Sequence, residues 1–155
     1  NEQRLPISRT YFDALPKYFR ESALLDRFHC FIEGWYLPRV HKGMIYTGWT
    51  INVEYFSEIL HSLRTDNVYS HLFDKLVSFQ ADADMRDFTA VKRIATSYIK
   101  LLFPHWRTVE DVNLDEFEMY CLEPALKRRG IIKEQCHRID PEFKTAMPDI
   151  KVKGL

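Results

Sequence analysis

Apolar residues recur at the spacing of an α-helix over most of the chain beyond residue 50. The first such segment starts near Thr50, a residue type that favours helix N-caps. Its apolar side chains fall on one helical face: Val53, Phe56, Ile59, Leu60 and Leu63. A second helix is predicted from Ser70 to about Phe79, before an acidic break at residues 82–84. A third, from about Asp87 to Phe103, ends where Pro104 forbids the next helical hydrogen bond.

A fourth helical region is predicted after an N-cap at Asn113 or Asp115. Pro124 and Gly130 both weaken the helical pattern of this region. We therefore expect a kink or a break near Glu123.

The periodicity is weaker in the first 49 residues and in the tail. Pro16 can occupy the first turn of a helix that runs to about Arg27. The apolar run Phe28–Ile32 is either a short strand or the end of that helix, because periodicity alone cannot separate the two. Residues after Asp140 are predicted to be extended or frayed. The pattern as a whole predicts a mainly α fold with at most one or two strands.

Composition excludes several classes of protein. Among 155 residues, 22 are basic and 22 acidic, so net charge gives no general argument for nucleic-acid or membrane binding. The longest apolar runs are far shorter than a membrane span, and no membrane partner is expected. Three cysteines without C-x-x-C spacing fit a reducing compartment, which predicts a cytoplasmic protein. The six histidines show no metal-ligand spacing, so no metal site is expected.

Two arginines stand where local structure gives them an unusual setting. Arg27 follows Asp26 at the junction of a helical pattern and an apolar run. Arginine suits bidentate phosphate recognition, but a surface pair with Asp26 or a contact at the helix end explains this position equally well. Arg86 begins the strongest helix, where the helix dipole favours acids. Phosphate binding and a salt bridge to Asp84 are both open explanations.

The basic run Lys127–Arg129 is a candidate for nucleic-acid contact. A solvated helix face is the alternative explanation, given the neutral chain. The sequence contains no Gly-x-x-x-x-Gly-Lys-[Ser/Thr] loop, so nothing in it cradles a nucleotide's phosphates by itself.

Several short motifs combine into a specific pattern. They are Ala23-Leu-Leu-Asp-Arg-Phe-His-Cys-Phe-Ile32 followed by Gly-Trp-x-Leu-Pro-Arg39, then Tyr55-Phe-Ser-Glu-Ile-Leu60, and finally Asp84-Met-Arg-Asp-x-x-Ala-Val91 with Lys100-Leu-Leu-Phe-Pro-His105. Together they resemble the Lon-related AAA+ proteins, which include the Lon-like component of BREX phage-defence systems. The match covers about 120 residues and fades over residues 125–135.

The resemblance implies a mainly α fold: the C-terminal helical lid of an AAA+ module with a short strand remnant of the nucleotide-binding core. Residues 1–49 would be the end of that core with the arginine-finger segment and a connecting loop. Residues 50–139 would form the lid, and residues 140–155 an extended tail. Arg27 matches the catalytic arginine finger that reaches a neighbour's ATP. Arg86 matches the nucleotide sensor of the lid, with Arg93 and Arg39 in support.

The resemblance also implies a setting. The whole protein would be an ATP-dependent ATPase or Lon-type protease-like protein that uses ATP and Mg²⁺ and works as a homo-oligomeric ring, with DNA or protein as substrate. The chain lacks an initiator methionine, Walker motifs and a Ser-Lys protease dyad. We therefore expect an inactive fragment that binds no cofactor alone. A non-catalytic helical interaction module and a DNA-binding unit of a phage-defence complex remain alternatives.

Overall fold

The computed structural model of the chain describes residues 10–79 and 84–153, which fall into two compact units. The first unit contains Glu33–Asp66, and the described parts of 6–32 and 67–155 form the second. The predicted domain boundaries after residues 49 and 139 stay predictions. Of the predicted acidic break at 82–84, residues 82 and 83 lie outside the described residues.

The first unit consists of short turns and one helix. Two 3₁₀ turns, Gly34–Tyr36 and Lys42–Met44, precede helix α2, Val53–Arg64. The N-cap of α2 is Asn52 and not Thr50, because the Asn52 side chain accepts hydrogen bonds from two backbone N–H groups of the first turn. No side chain of α2 is buried.

The second unit is a packed helical body, which confirms the mainly α fold. Its helices are α1 (Ser22–Leu25), α3 (Val68–Leu76), α4 (Met85–Leu102), α5 (Leu114–Phe117) and α6 (Glu123–Ile139). Helix α4 packs against α3 on one side and α6 on the other. Its apolar stripe buries Val91, Ala95 and Ile99 between them, as the sequence periodicity predicts.

Two strands lie outside the predicted positions. Strand β1, Val77–Phe79, pairs antiparallel with β2, Ile150–Val152, in the register Val77 opposite Val152. The second predicted helix therefore ends at Leu76 and not at Phe79, because the tail offers the three following residues a strand partner. The extended conformation predicted for the tail is confirmed at Ile150–Val152.

The segment before the candidate arginine is less regular than predicted. Residues 16–27 form a 3₁₀ turn, Lys17–Phe19, and the separate short helix α1 instead of one continuous helix. The run Phe28–Ile32 is neither a strand nor a helix end. The backbone carbonyl of Phe28 instead accepts a hydrogen bond from Arg129, so the side chain of a distant helix satisfies it.

The interruption of the last helical region is confirmed. Asn113 caps α5 through its side chain, and a π-helical turn, Glu118–Leu122, separates α5 from α6. Pro124 stands in the first turn of α6, where its missing N–H costs nothing. Gly130, predicted to weaken this region, does not interrupt α6, which continues to Ile139. Among the described residues, no helix is long and apolar enough to cross a lipid bilayer.

The three cysteines differ in their exposure. Cys30 is exposed, whereas burial raises the pKa of Cys121 to about 12 and that of Cys136 to about 11. Because the thiolate is the reactive species, we expect one thiol per native chain to react with Ellman's reagent at pH 8 and three to react after denaturation. Cys30→Ser should abolish the native reaction. Three equal native rates would contradict the buried positions.

Candidate functional site

Three of the four predicted site arginines line one open cavity of about 350 Å³ in the second unit. Arg27, Arg86 and Arg93 share its wall with Asp26 and His29. All three arginines are exposed to solvent. The fourth, Arg39, is exposed in the first unit and does not line this cavity. Tertiary structure thus brings together positions that are about 60 residues apart in the sequence.

Local structure explains where each arginine stands. Arg27 follows the C-cap of α1, and its Nη1 lies 3.3 Å from the carbonyl oxygen of Ala23 in that helix. Asp84 caps α4 by accepting a hydrogen bond of 2.8 Å from the backbone N–H of Arg86. Arg93 lies seven residues, or about two helical turns, beyond Arg86, so both project from one face of α4.

The Asp26 carboxylate joins Arg86 to the interior. Its Oδ2 accepts a hydrogen bond of 2.8 Å from Nη1 of Arg86, and its Oδ1 accepts one of 2.5 Å from Nη2 of Arg129. Asp26 therefore pairs with neither of its sequence neighbours, and Arg86 does not form the salt bridge with Asp84 that was one open explanation. Burial raises the pKa of Asp26, but the hydrogen bond from Arg86 and the charge of Arg129 outweigh it and hold the pKa below its usual value.

His29 is held in its neutral form beside Arg93. Its Nε2 lies 2.8 Å from Nη1 of Arg93, and a guanidinium can only donate, so Nε2 must be the acceptor. Burial lowers the pKa of His29, and the positive charges of Arg93 and Arg129 lower it further. With His29 neutral, the cavity wall presents three guanidinium groups against the single carboxylate of Asp26.

The interior charge cluster is the part of the site that sequence reasoning missed. Arg129 was expected on a solvated helix face or a DNA-binding surface, but it is 0% exposed and can contact neither water nor nucleic acid. It pairs with Asp87 as well as with Asp26, and Lys133 pairs with the other oxygen of Asp87. A signal existed: Arg129 lies four residues after Ala125 on the apolar face of α6.

No acidic or histidine cluster competes with the arginines for a functional role in the described residues. Within residues 10–79 and 84–153, no group of three or more His, Cys, Asp and Glu side chains could hold a metal ion. The donor set of the cavity is cationic and planar, which suits the oxygens of a phosphate group.

Comparison with known proteins gives the same family as the sequence motifs. Residues 1–149 match the family model described as "Lon-like protease BrxL-like, ATPase domain". The chain is 27% identical over 125 residues to the Lon-like protease BrxL of Escherichia coli O9:H4 (strain HS), covering 80% of this chain and 17% of that protein. It is 28% identical over 129 residues to the Lon-like protease BrxL of Bacillus cereus (strain H3081.97), covering 83% of this chain and 18% of that protein.

The chain spans less than a fifth of the length of either relative. The family match, in contrast, covers nearly all of it, including α1, α4, α6 and every residue of the arginine cavity. The chain therefore belongs to the family of BrxL-like ATPase domains of Lon-related proteins.

Proposed function

We propose that the chain supplies a phosphate-sensing arginine cluster to a ring-shaped ATPase, with Arg27 as the arginine finger and Arg86 as the lid sensor. The observation that carries this proposal is the shared cavity of Arg27, Arg86 and Arg93. Family membership supplies the nucleotide chemistry, because an ATPase domain must stabilise the charge that develops on a transferred phosphoryl group.

The hydrogen bonding of the three arginines supports this role. Each of Arg27, Arg86 and Arg93 uses Nη1 as its donor, to Ala23, Asp26 and His29 respectively. Within the described residues, their Nη2 and Nε groups make no hydrogen bond. Arginines tethered at one nitrogen keep their direction and still offer two or more N–H groups to phosphate oxygens.

The nucleotide itself would be held by a neighbouring subunit. The sequence contains no phosphate-cradling loop, so the cluster would complete a site whose remaining parts come from elsewhere in the ring. Because Arg27 and Arg86 line one cavity, both would act on the same phosphate group. Arg93 supports them by adding positive charge, and the support expected from Arg39 rests on the family resemblance alone.

ATP with Mg²⁺ is the cofactor that this role requires, and other copies of the same protein are its first partners. The metal would neutralise part of the phosphate charge, while the arginines orient the terminal phosphate and stabilise its added charge. DNA and unfolded protein are the two candidate substrates of the whole assembly. The chain contains no protease dyad of its own, so protein cleavage would require residues outside it.

Replacing Arg86 with glutamine tests the proposal. In the full-length protein, Arg86→Gln should lower kcat for ATP hydrolysis by about 10²- to 10³-fold, the usual cost of removing one donor aimed at developing charge. The matched control is Lys92→Gln, which removes a charge from α4 that pairs with Asp74 outside the cavity. Steady-state turnover should be measured on samples whose assembly size has been checked. Normal turnover by an intact Arg86→Gln assembly would favour a non-catalytic interaction module.

A further inference from the structure

Arg129 has the most fully satisfied side chain near the cavity, although it does not line it. Its guanidinium donates four hydrogen bonds: Nε to Asp87 Oδ1 at 2.8 Å, Nη2 to Asp26 Oδ1 at 2.5 Å, and Nη1 to the carbonyl oxygens of Asp26 and Phe28, both at 2.8 Å. All three acceptors lie on two segments, the end of α1 and the start of α4. Arg129 therefore ties both arginine-bearing segments to α6.

The two carbonyl contacts bracket the candidate finger. Asp26 and Phe28 are the residues immediately before and after Arg27, and one nitrogen of Arg129 holds both of their carbonyl oxygens. The peptide units on both sides of Arg27 are thus fixed in a segment that has no regular secondary structure after residue 27. The direction in which Arg27 leaves the backbone follows from this clamp.

The carboxylate contact extends the same control to Arg86. Arg129 Nη2 fixes one oxygen of Asp26, and the other oxygen fixes Nη1 of Arg86. Asp26 is only 6% exposed, so its carboxylate has little freedom to turn toward water. A single buried guanidinium thereby sets the positions of two exposed ones.

We propose that Arg129 is the positioning residue of the arginine cluster, holding Arg27 through its flanking carbonyls and Arg86 through Asp26. This inference rests on the proposed function of Arg27 and Arg86. Charge balance alone does not require an arginine here, because Asp87 also pairs with Lys133 and Asp26 also pairs with Arg86. What the site requires is the planar fork, which can reach acceptors in three directions at once and which lysine cannot reproduce.

Arg129→Lys tests this role because it keeps the charge and removes the fork. In the full-length protein we expect kcat for ATP hydrolysis to fall by about 10- to 100-fold, the size of effect that small misplacements of catalytic groups produce. The KM for ATP should stay within about twofold, since this chain does not cradle the nucleotide. Arg138→Lys is the matched control: the same exchange on α6, at a half-exposed residue paired with Glu134.

A second background separates positioning from a general loss of structure. In a protein already carrying Arg27→Ala and Arg86→Gln, adding Arg129→Lys should change the residual single-turnover rate by less than about twofold, because the groups it positions are gone. The same fold-loss in both backgrounds would overturn the inference, as would normal kcat for Arg129→Lys alone. If Arg27→Ala and Arg86→Gln themselves leave turnover unchanged, it is the proposed function that fails.

Asp26→Asn keeps the inference testable if Arg129→Lys does not fold. The asparagine oxygen can still accept from Arg129, while its uncharged side chain no longer holds Arg86 in an ion pair. We expect kcat to fall by at least about tenfold, and this fall should vanish in the Arg86→Gln background. Unchanged kcat for a folded Asp26→Asn assembly would overturn the Asp26 arm of the proposal.

Discussion

ATP turnover by the full-length protein should fall by about 10³- to 10⁵-fold when Arg27 is replaced with alanine, the range by which arginine fingers accelerate phosphoryl transfer. The physical reason is the loss of a positive donor from the position where charge develops on the terminal phosphate. Arg27→Lys should recover only part of the rate, because an ammonium group keeps the charge but not the two-pronged geometry.

The stability of the assembly should hardly change in the same variant. Arg27 is exposed, and its printed contact within the chain is one hydrogen bond of 3.3 Å to the Ala23 carbonyl. Turnover should be measured alongside the assembly size and the melting temperature, with Arg138→Ala as a control at an exposed residue of α6. An intact Arg27→Ala ring with normal turnover would show that the arginine merely contacts the end of α1.

Arg129→Ala should give the largest loss of stability in the chain. It leaves Asp26 and Asp87 buried without their common partner, and breaking a buried ion pair from one side costs about 3–5 kcal/mol in free energy of unfolding. For a chain of this length, that loss corresponds to a fall of about 6–20 °C in melting temperature. Circular dichroism during thermal and urea unfolding measures both quantities.

Lys127→Ala is the matched control for this prediction. Lys127 lies two residues earlier on α6 and is exposed, so its replacement should change the free energy of unfolding by no more than about 0.5 kcal/mol. Equal, small effects of the two substitutions would mean that the charge cluster around Arg129 is not closed in solution.

Sequence periodicity predicted the helices that depend on local spacing. The observed α4 begins and ends within two residues of its predicted bounds, and Asn113 caps α5 as expected. Both features arise from contacts between residues three or four positions apart, which a sequence displays directly. Prediction failed at Val77–Phe79, whose strand partner is the distant segment Ile150–Val152. It also failed at Phe28–Ile32, where a side chain from α6 takes up a backbone carbonyl.

The candidate site divides in the same way. Family motifs pointed to Arg27, Arg86, Arg93 and Arg39, and three of these share a cavity. Their partners were not predictable from neighbours in the sequence. Asp26 adjoins Arg27 but pairs with Arg86, 60 positions away, and with Arg129, 103 positions away.

What the sequence alone determined is thus the mainly α fold, the helix caps and the family, because each depends on residue types at short spacing. Only the tertiary structure decided which arginine is buried and which are exposed. The reason is that the strength of an ion pair depends on the surrounding dielectric and on geometry in three directions, and neither exists before α1, α4 and α6 pack together. In that packing, Arg129 moved from an expected basic surface to the centre of the charge cluster that holds Arg86 and the backbone around Arg27.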